Sequence, residues 1–169
     1  MIDEIATRLQ YSLKEFEGKS KYSLGYPTNH SFDYKELYPF MDFMLNNVGD
    51  PYDSSNYSMN THDYEREVID WFADLYNCPK NNRWGYVTNG GTEGNMYGLY
   101  LAREAYPHSM LYFSEDTHYS VRKMAHILDM SYVIVKSLPS GEMDLTDFVK
   151  LVSANRDKSV IVFANIFVR

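Results

Sequence analysis

The sequence predicts an α/β protein, a mostly parallel sheet flanked by helices and preceded by a helical N-terminal segment. Three observations predict it. From residue 84 onward, short runs of β-branched and aromatic residues alternate with amphipathic stretches, the pattern of strands joined by crossover helices. Before residue 84 the apolar residues recur at helical spacing. Between these regions, an apolar run stops at Gly90-Gly91 and an amphipathic stretch begins at once, as where a strand turns into a helix.

The elements follow in chain order. Ile2, Ile5, Leu9, Leu13 and Phe16 lie on one helical stripe that ends before Gly18, and this stripe packs either on its own domain or on a partner subunit. Asp33 with Glu36 has the spacing of a capping box, and Leu37, Phe40, Met41, Met44, Leu45 and Val48 continue as a helical face that Pro39 should bend. Tyr64, Val68, Trp71, Phe72 and Leu75 signal another helix, stopping before Cys78-Pro79. Strands are predicted over 84–88, 110–114, 132–136 and 159–166, with helices starting near Thr92, His118 and Asp144. No repeat or low-complexity linker interrupts the chain. Residues 1–60 read as an N-terminal helical segment and 61–169 as part of one larger α/β domain.

Ligands of such sheets gather at the carboxyl ends of the strands. The turn Asn89-Gly90-Gly91-Thr92 stands at one such end. Its glycines permit backbone with positive φ and close approach of a ligand. Thr92 either caps the helix or donates its hydroxyl to an anion, and the helix start aims free N–H groups and a positive dipole end at the turn. Phosphate suits that environment. The turn lacks the lysine of a P-loop, and Gly90, Gly91 and Gly94 do not spell G-x-G-x-x-G, so neither a nucleoside triphosphate nor a dinucleotide is indicated. His118 stands just beyond the next strand, at the same edge.

Composition narrows the classes. A net charge of −7 over 169 residues argues against nucleic acid, whose phosphates require a basic face. The single cysteine, Cys78, fits a reducing compartment. No apolar run reaches the roughly 20 residues of a membrane helix, and Met1-Ile-Asp-Glu lacks the basic start of a signal peptide, which makes the cytoplasm the expected location. Sixteen tyrosines and nine phenylalanines suggest large buried faces or an interface. His30, His62, His108, His118 and His126 with Cys78 form no H-x-x-x-H or C-x-x-C pair, so no metal site is expected. Ser114, Asp116 and His118 have the residue types of a hydrolase triad but lie too close in sequence, with no G-x-S-x-G elbow. Asp63, Glu65, Glu67 and Asp70 read as a solvated acidic face.

The blocks Trp84-Gly-Tyr-Val-Thr-Asn-Gly-Gly-Thr-Glu-Gly-Asn95 and Ser114-Glu-Asp-Thr-His-Tyr-Ser120 together resemble the pyridoxal-phosphate-dependent group II amino-acid decarboxylases. Within them the likeness is to the bacterial-type histidine decarboxylase branch with its plant serine decarboxylase relatives. It runs in order through Gly25-Tyr-Pro27, Asn46-Asn-Val-Gly-Asp50, Ser55-Asn-Tyr57, Phe72-Ala-Asp-Leu75, Gly141-Glu-Met-Asp144 and Phe163-Ala-Asn-Ile166. The resemblance implies the large domain of a fold-type-I pyridoxal enzyme. It implies that Gly90, Gly91 and Thr92 hold the cofactor phosphate, that His118 stacks on the pyridine ring and orients the substrate, and that the N-terminal segment is an arm of a homodimer or higher oligomer. It places the segment holding Asn60 and His62 near the cofactor, so Asn60 is either a substrate contact or a surface-loop residue.

Beyond Ile166 the family continues with Gly-Thr-Thr, an aspartate for the pyridine nitrogen and the Schiff-base lysine, whereas this chain reads Phe167-Val-Arg169. Lys123 and Lys136 do not match the lysine's position. The resemblance therefore implies the N-terminal half of an L-amino-acid decarboxylase, with histidine, serine or an aromatic amino acid as substrate. The alternative is a truncated, non-catalytic chain that binds a phosphate ligand or a partner subunit.

Overall fold

A computed structural model describes residues 2–25 and 31–165. The expectations on Pro27, His30 and Ile166, and on 167–169, lie outside the described residues. The chain divides into two units, Met1–His62 and Asp63–Arg169.

The N-terminal unit opens with α1, Ile2–Ser20. It runs through Gly18 rather than stopping before it, and a Glu15–Lys19 pair at 2.7 Å, one turn apart, supports the last turn. Ile5, Leu9, Leu13 and Phe16 are exposed along it. The helix expected to reach Val48 is instead a 3₁₀ helix, Lys35–Asp42, followed by extended backbone at Phe43. Pro39 lies inside it; lacking an N–H and crowding the carbonyl four residues back, proline breaks an α-type ladder. None of its residues is buried, so no packing rewards a longer helix. Asp33 and Glu36 form no capping box. The residue before the helix is Tyr34, without a side-chain cap, and Asp33 Oδ1 accepts from Lys35 N instead. Side chains brace the loop that follows: Tyr57 donates its hydroxyl to the Met44 carbonyl at 2.7 Å, and Asn47 Oδ1 accepts from Thr61 N at 2.7 Å.

The C-terminal unit continues α2, His62–Leu75. That helix closes on Asn77 in the left-handed region (φ 56°), with Cys78 N donating to the Ala73 carbonyl at 2.8 Å, a Schellman closure that asparagine tolerates. Then come α3 Gly91–Ala105, β1 Met110–Ser114, α4 Tyr119–Ile127, β2 Tyr132–Val135, α5 Leu145–Ser153 and β3 Val160–Val162. The strands form a parallel sheet in the order β2-β1-β3. Central β1 is buried along its whole length, as the middle strand of a sheet covered on both faces must be. Its alternate side chains feed two cores. Leu111 and Phe113 pack with Leu99, Val121, Met124, Ala125 and Met130 under α3 and α4, while Met110 and Tyr112 meet Val135, Phe148, Leu151 and Val152 on the α5 side. Asp144 caps α5, accepting from Thr146 N and Asp147 N.

Two predicted strands change. Residues 84–88 form no strand, because a strand needs a ladder neighbour and this stretch pairs with neither edge of the sheet. Its Val87 N–H goes to the Glu65 carboxylate at 2.8 Å instead. β3 is three residues rather than eight, pairing only with Met110, Leu111 and Tyr112. Among the described residues no helix is long and apolar enough to cross a membrane.

Candidate active site

The glycine turn is built by opposed backbone demands. Gly90 precedes α3 with φ 95° and ψ 165°, a region open essentially to glycine alone. Gly91 is already helical, so only one of the two glycines uses positive φ. Thr92 does not cap the helix: the cap position is Gly90, with no side-chain cap bond. The Gly90 carbonyl accepts from Glu93 N and Gly94 N. The Gly91 and Thr92 N–H groups find no acceptor among the described residues, the usual state of a helix start. Nothing lies within 4 Å of where a Cβ would stand on Gly90 or Gly91. The result is an open cradle with donors aimed outward and Thr92 exposed beside it.

Glu93 holds that cradle from behind. Its carboxylate accepts from Asn89 N at 2.6 Å and from the Tyr86 hydroxyl at 3.2 Å. Burial first, then the adjacent Glu93 charge, pushes the Tyr86 phenol above its ordinary range. Upstream, Arg83 bridges Asp70 at 3.1 Å, Asp74 at 2.7 Å and the Cys78 carbonyl at 2.9 Å. The Arg83 hydrogen bond holds the Asp74 carboxyl below the usual range, against a smaller opposing push from burial. The acidic run on α2 is therefore not simply a solvated face. Glu65 and Asp70 anchor the segment that delivers the turn, Asp63 pairs with Arg66, and Glu67 is exposed.

His118 is the N-cap of α4, its ring accepting from Ser120 N at 3.3 Å. The Ser120 hydroxyl lies 2.8 Å from the same Nδ1, and Asn95 Nδ2 donates to that hydroxyl at 2.9 Å. Asn95 belongs to the second turn of α3, so the helix that starts at the cradle is tied to the cap that carries the imidazole. Tyr119 packs its ring 4.4 Å from that of His118. Asn165, beyond β3, donates to Ser114 Oγ at 3.3 Å and Thr117 Oγ1 at 3.2 Å, pinning the loop that leads to His118. Ser114 Oγ is thus engaged by Thr117 and Asn165 and His118 Nδ1 by Ser120, and no triad forms.

The structure brings Gly90, Gly91, Thr92 and His118 into one connected unit. Asn60 belongs to the N-terminal unit. Its amide donates to the Tyr57 carbonyl at 2.6 Å and accepts from His62 N, so both ends serve the local loop. Asn95, Ser120, Glu93 and Asn165 were not singled out from sequence. One of them left a signal, because Ser120 lies on the α4 stripe with Val121, Met124 and Ala125 and is fully buried, a polar residue where the pattern asks for an apolar one. Among the described residues no group of three or more His, Cys, Asp and Glu gathers as metal ligands.

Comparison with known proteins follows this geometry. The chain is 46% identical over 164 residues to a histidine decarboxylase of Acinetobacter baumannii (strain ACICU), covering 97% of this chain and 42% of that protein. It is 47% identical over 145 residues to a histidine decarboxylase of Morganella morganii, covering 86% and 38%. Its fold matches an L-methionine decarboxylase from Streptomyces sp. 590, in the internal aldimine form, with TM-score 0.79 and 27% identity over 95% of this chain and 43% of that one. No protein-family model matches. In sequence and in fold the chain is similar to amino-acid decarboxylases, and it spans less than half the length of these relatives.

Proposed function

We propose that this chain forms part of a pyridoxal-phosphate-dependent decarboxylase of an L-amino acid, with histidine as substrate and histamine as product. The observation that carries the reading is an open glycine cradle and an imidazole held in one hydrogen-bonded unit, inside a sequence that follows histidine decarboxylases over nearly all its length. The residues fit the cofactor's phosphate: unpartnered N–H groups at Gly91 and Thr92, the Thr92 hydroxyl and the positive end of α3 all favour a dianion. Bound there, pyridoxal phosphate would supply the electron sink for loss of the substrate carboxylate. The chain's own residues bind and orient. Gly90 shapes the turn, Gly91 and Thr92 hold the phosphate, and His118 offers a flat ring to the pyridine face and a nitrogen to the substrate. Asn60 joins this reading as a substrate contact on the resemblance alone, and doing so requires it to exchange a local bond. A cytoplasmic location and a homodimeric or higher assembly belong to the same proposal, the assembly supported by the exposed apolar stripe of α1.

A chimera tests it: residues 1–165 of this chain joined to the remaining length of the Acinetobacter histidine decarboxylase, assayed for carbon dioxide release from single amino acids. Release from histidine with added pyridoxal phosphate is the expected result; release from serine alone would move the substrate, and release from none would leave a non-catalytic binding chain. In that protein Thr92→Val should raise the cofactor dissociation constant about tenfold or more, since a hydrogen bond to a charged group is worth roughly 1.5–3 kcal/mol.

A further inference from the structure

The contacts of His118 fix which of its nitrogens faces a ligand. A backbone N–H can only donate, so the Ser120 N–H at 3.3 Å requires Nδ1 to carry its lone pair. The Ser120 hydroxyl, 2.8 Å from Nδ1, then donates to it as well. Donating leaves that oxygen free to accept, and Asn95 Nδ2 meets it at 2.9 Å. Every donor in the sequence Asn95, Ser120, His118 therefore points the same way. Ser120 is fully buried, so its hydroxyl has no competing water, whereas His118 is exposed. Nε2 carries the ring's proton and makes no hydrogen bond among the described residues.

We propose that Ser120 and Asn95 are positioning residues that hold the His118 imidazole with Nε2–H as its one available donor. Such a donor selects an anionic or carbonyl acceptor on the ligand, such as a substrate carboxylate, and rejects a donor at that point. Because Asn95 is on α3, the orientation of the imidazole is set by the same helix that begins at the phosphate cradle. The ligand-facing part of this inference rests on the decarboxylase reading; the tautomer does not.

The test is nitrogen NMR of the chain carrying ¹⁵N-histidine, with His118 assigned by His118→Gln. The wild-type chain should show Nε2 protonated and Nδ1 as a hydrogen-bonded acceptor. Ser120→Ala should move the His118 Nδ1 resonance toward that of free imidazole, Asn95→Ala should move it part of the way, and Ser120→Thr, which keeps the hydroxyl, should restore it. A His118 protonated at Nδ1, or nitrogen shifts unchanged in Ser120→Ala, overturns the proposal. Pyridoxal phosphate titrated into the same samples separates this from the functional reading. The His118 Nε2–H should respond, with the apparent dissociation constant raised about threefold to tenfold in Ser120→Ala, the scale of one neutral hydrogen bond. A fixed tautomer without any response to pyridoxal phosphate, in this chain and in the chimera alike, would sustain the positioning role and defeat the decarboxylase reading.

Discussion

Two adjacent glycines should respond to the same substitution with opposite signs. Gly90 sits at φ 95°, ψ 165°, where an L-residue is strained by about 1–3 kcal/mol. No atom lies within 4 Å of an added Cβ, so Gly90→Ala carries that backbone cost and no clash. Gly91 has the same open surroundings but is the first helical residue. Gly91→Ala should therefore stabilise by about 0.4–1 kcal/mol, by restricting the unfolded chain. With a urea slope of about 2 kcal/mol/M, the Gly90 variant should lose about 0.5–1.5 M in midpoint and the Gly91 variant should gain about 0.2–0.5 M. Urea melts followed by circular dichroism and tryptophan fluorescence read both changes. Pyridoxal phosphate titration adds a second axis, because a methyl group on Gly91 projects into the open cradle and should weaken phosphate binding even as it strengthens the fold. Equal shifts in the two variants would refute the assignment of positive φ to Gly90 alone. A neutral Gly90→Ala would refute the turn geometry itself.

Other outcomes follow from the same contacts. Asp74, held below the ordinary carboxylate range by Arg83, contributes stability that is present above pH of about 4 and is lost as pH falls through its depressed value; Arg83→Gln should flatten the acid limb of a stability–pH profile between about pH 5 and 2. Tyr86 should titrate above the ordinary phenol value of about 10 in ¹³C NMR. Glu93→Gln should return it only part of the way, because burial is the larger cause, so a complete return would reverse that order. In the active chimera, His118→Ala should reduce turnover by at least about a hundredfold and lower cofactor-free stability by about 0.5–2 kcal/mol, because it removes the N-cap of α4. His118→Phe should recover cofactor affinity but not turnover, and full activity in the alanine variant would make His118 an ordinary cap.

Much of the fold was legible where periodicity and capping agree. The alternation after residue 105 located β1, α4, β2 and α5 closely, because central strands and their covering helices are buried on predictable faces and Asp144 marks its helix start. The two strand failures share one cause. Residues 84–88 have strand composition, and 163–165 extend a strand-like run, yet pairing depends on a neighbour elsewhere in space; the described sheet offers none to the first and ends its ladder at Val162 for the second. The face from Leu37 to Val48 failed for a local reason that was on view, since Pro39 outweighed a helical pattern with nothing to pack against.

For the site, residue types were legible and their wiring was not. Gly90, Gly91, Thr92 and His118 announce themselves by position, because glycines before a helix and a histidine after a strand occupy places where ligands bind. What makes them one unit is a hydrogen bond between Asn95 and Ser120, 25 residues apart in the chain. No short motif encodes a contact at that separation. Asn95 looks like an unremarked polar residue in a helix and Ser120 like a flaw in an apolar stripe. Yet a buried hydroxyl must find partners, and here the hydroxyl's two partners are the imidazole and the cradle's own helix. The apparent flaw in the α4 stripe is thus the place where the fold gives its histidine a direction.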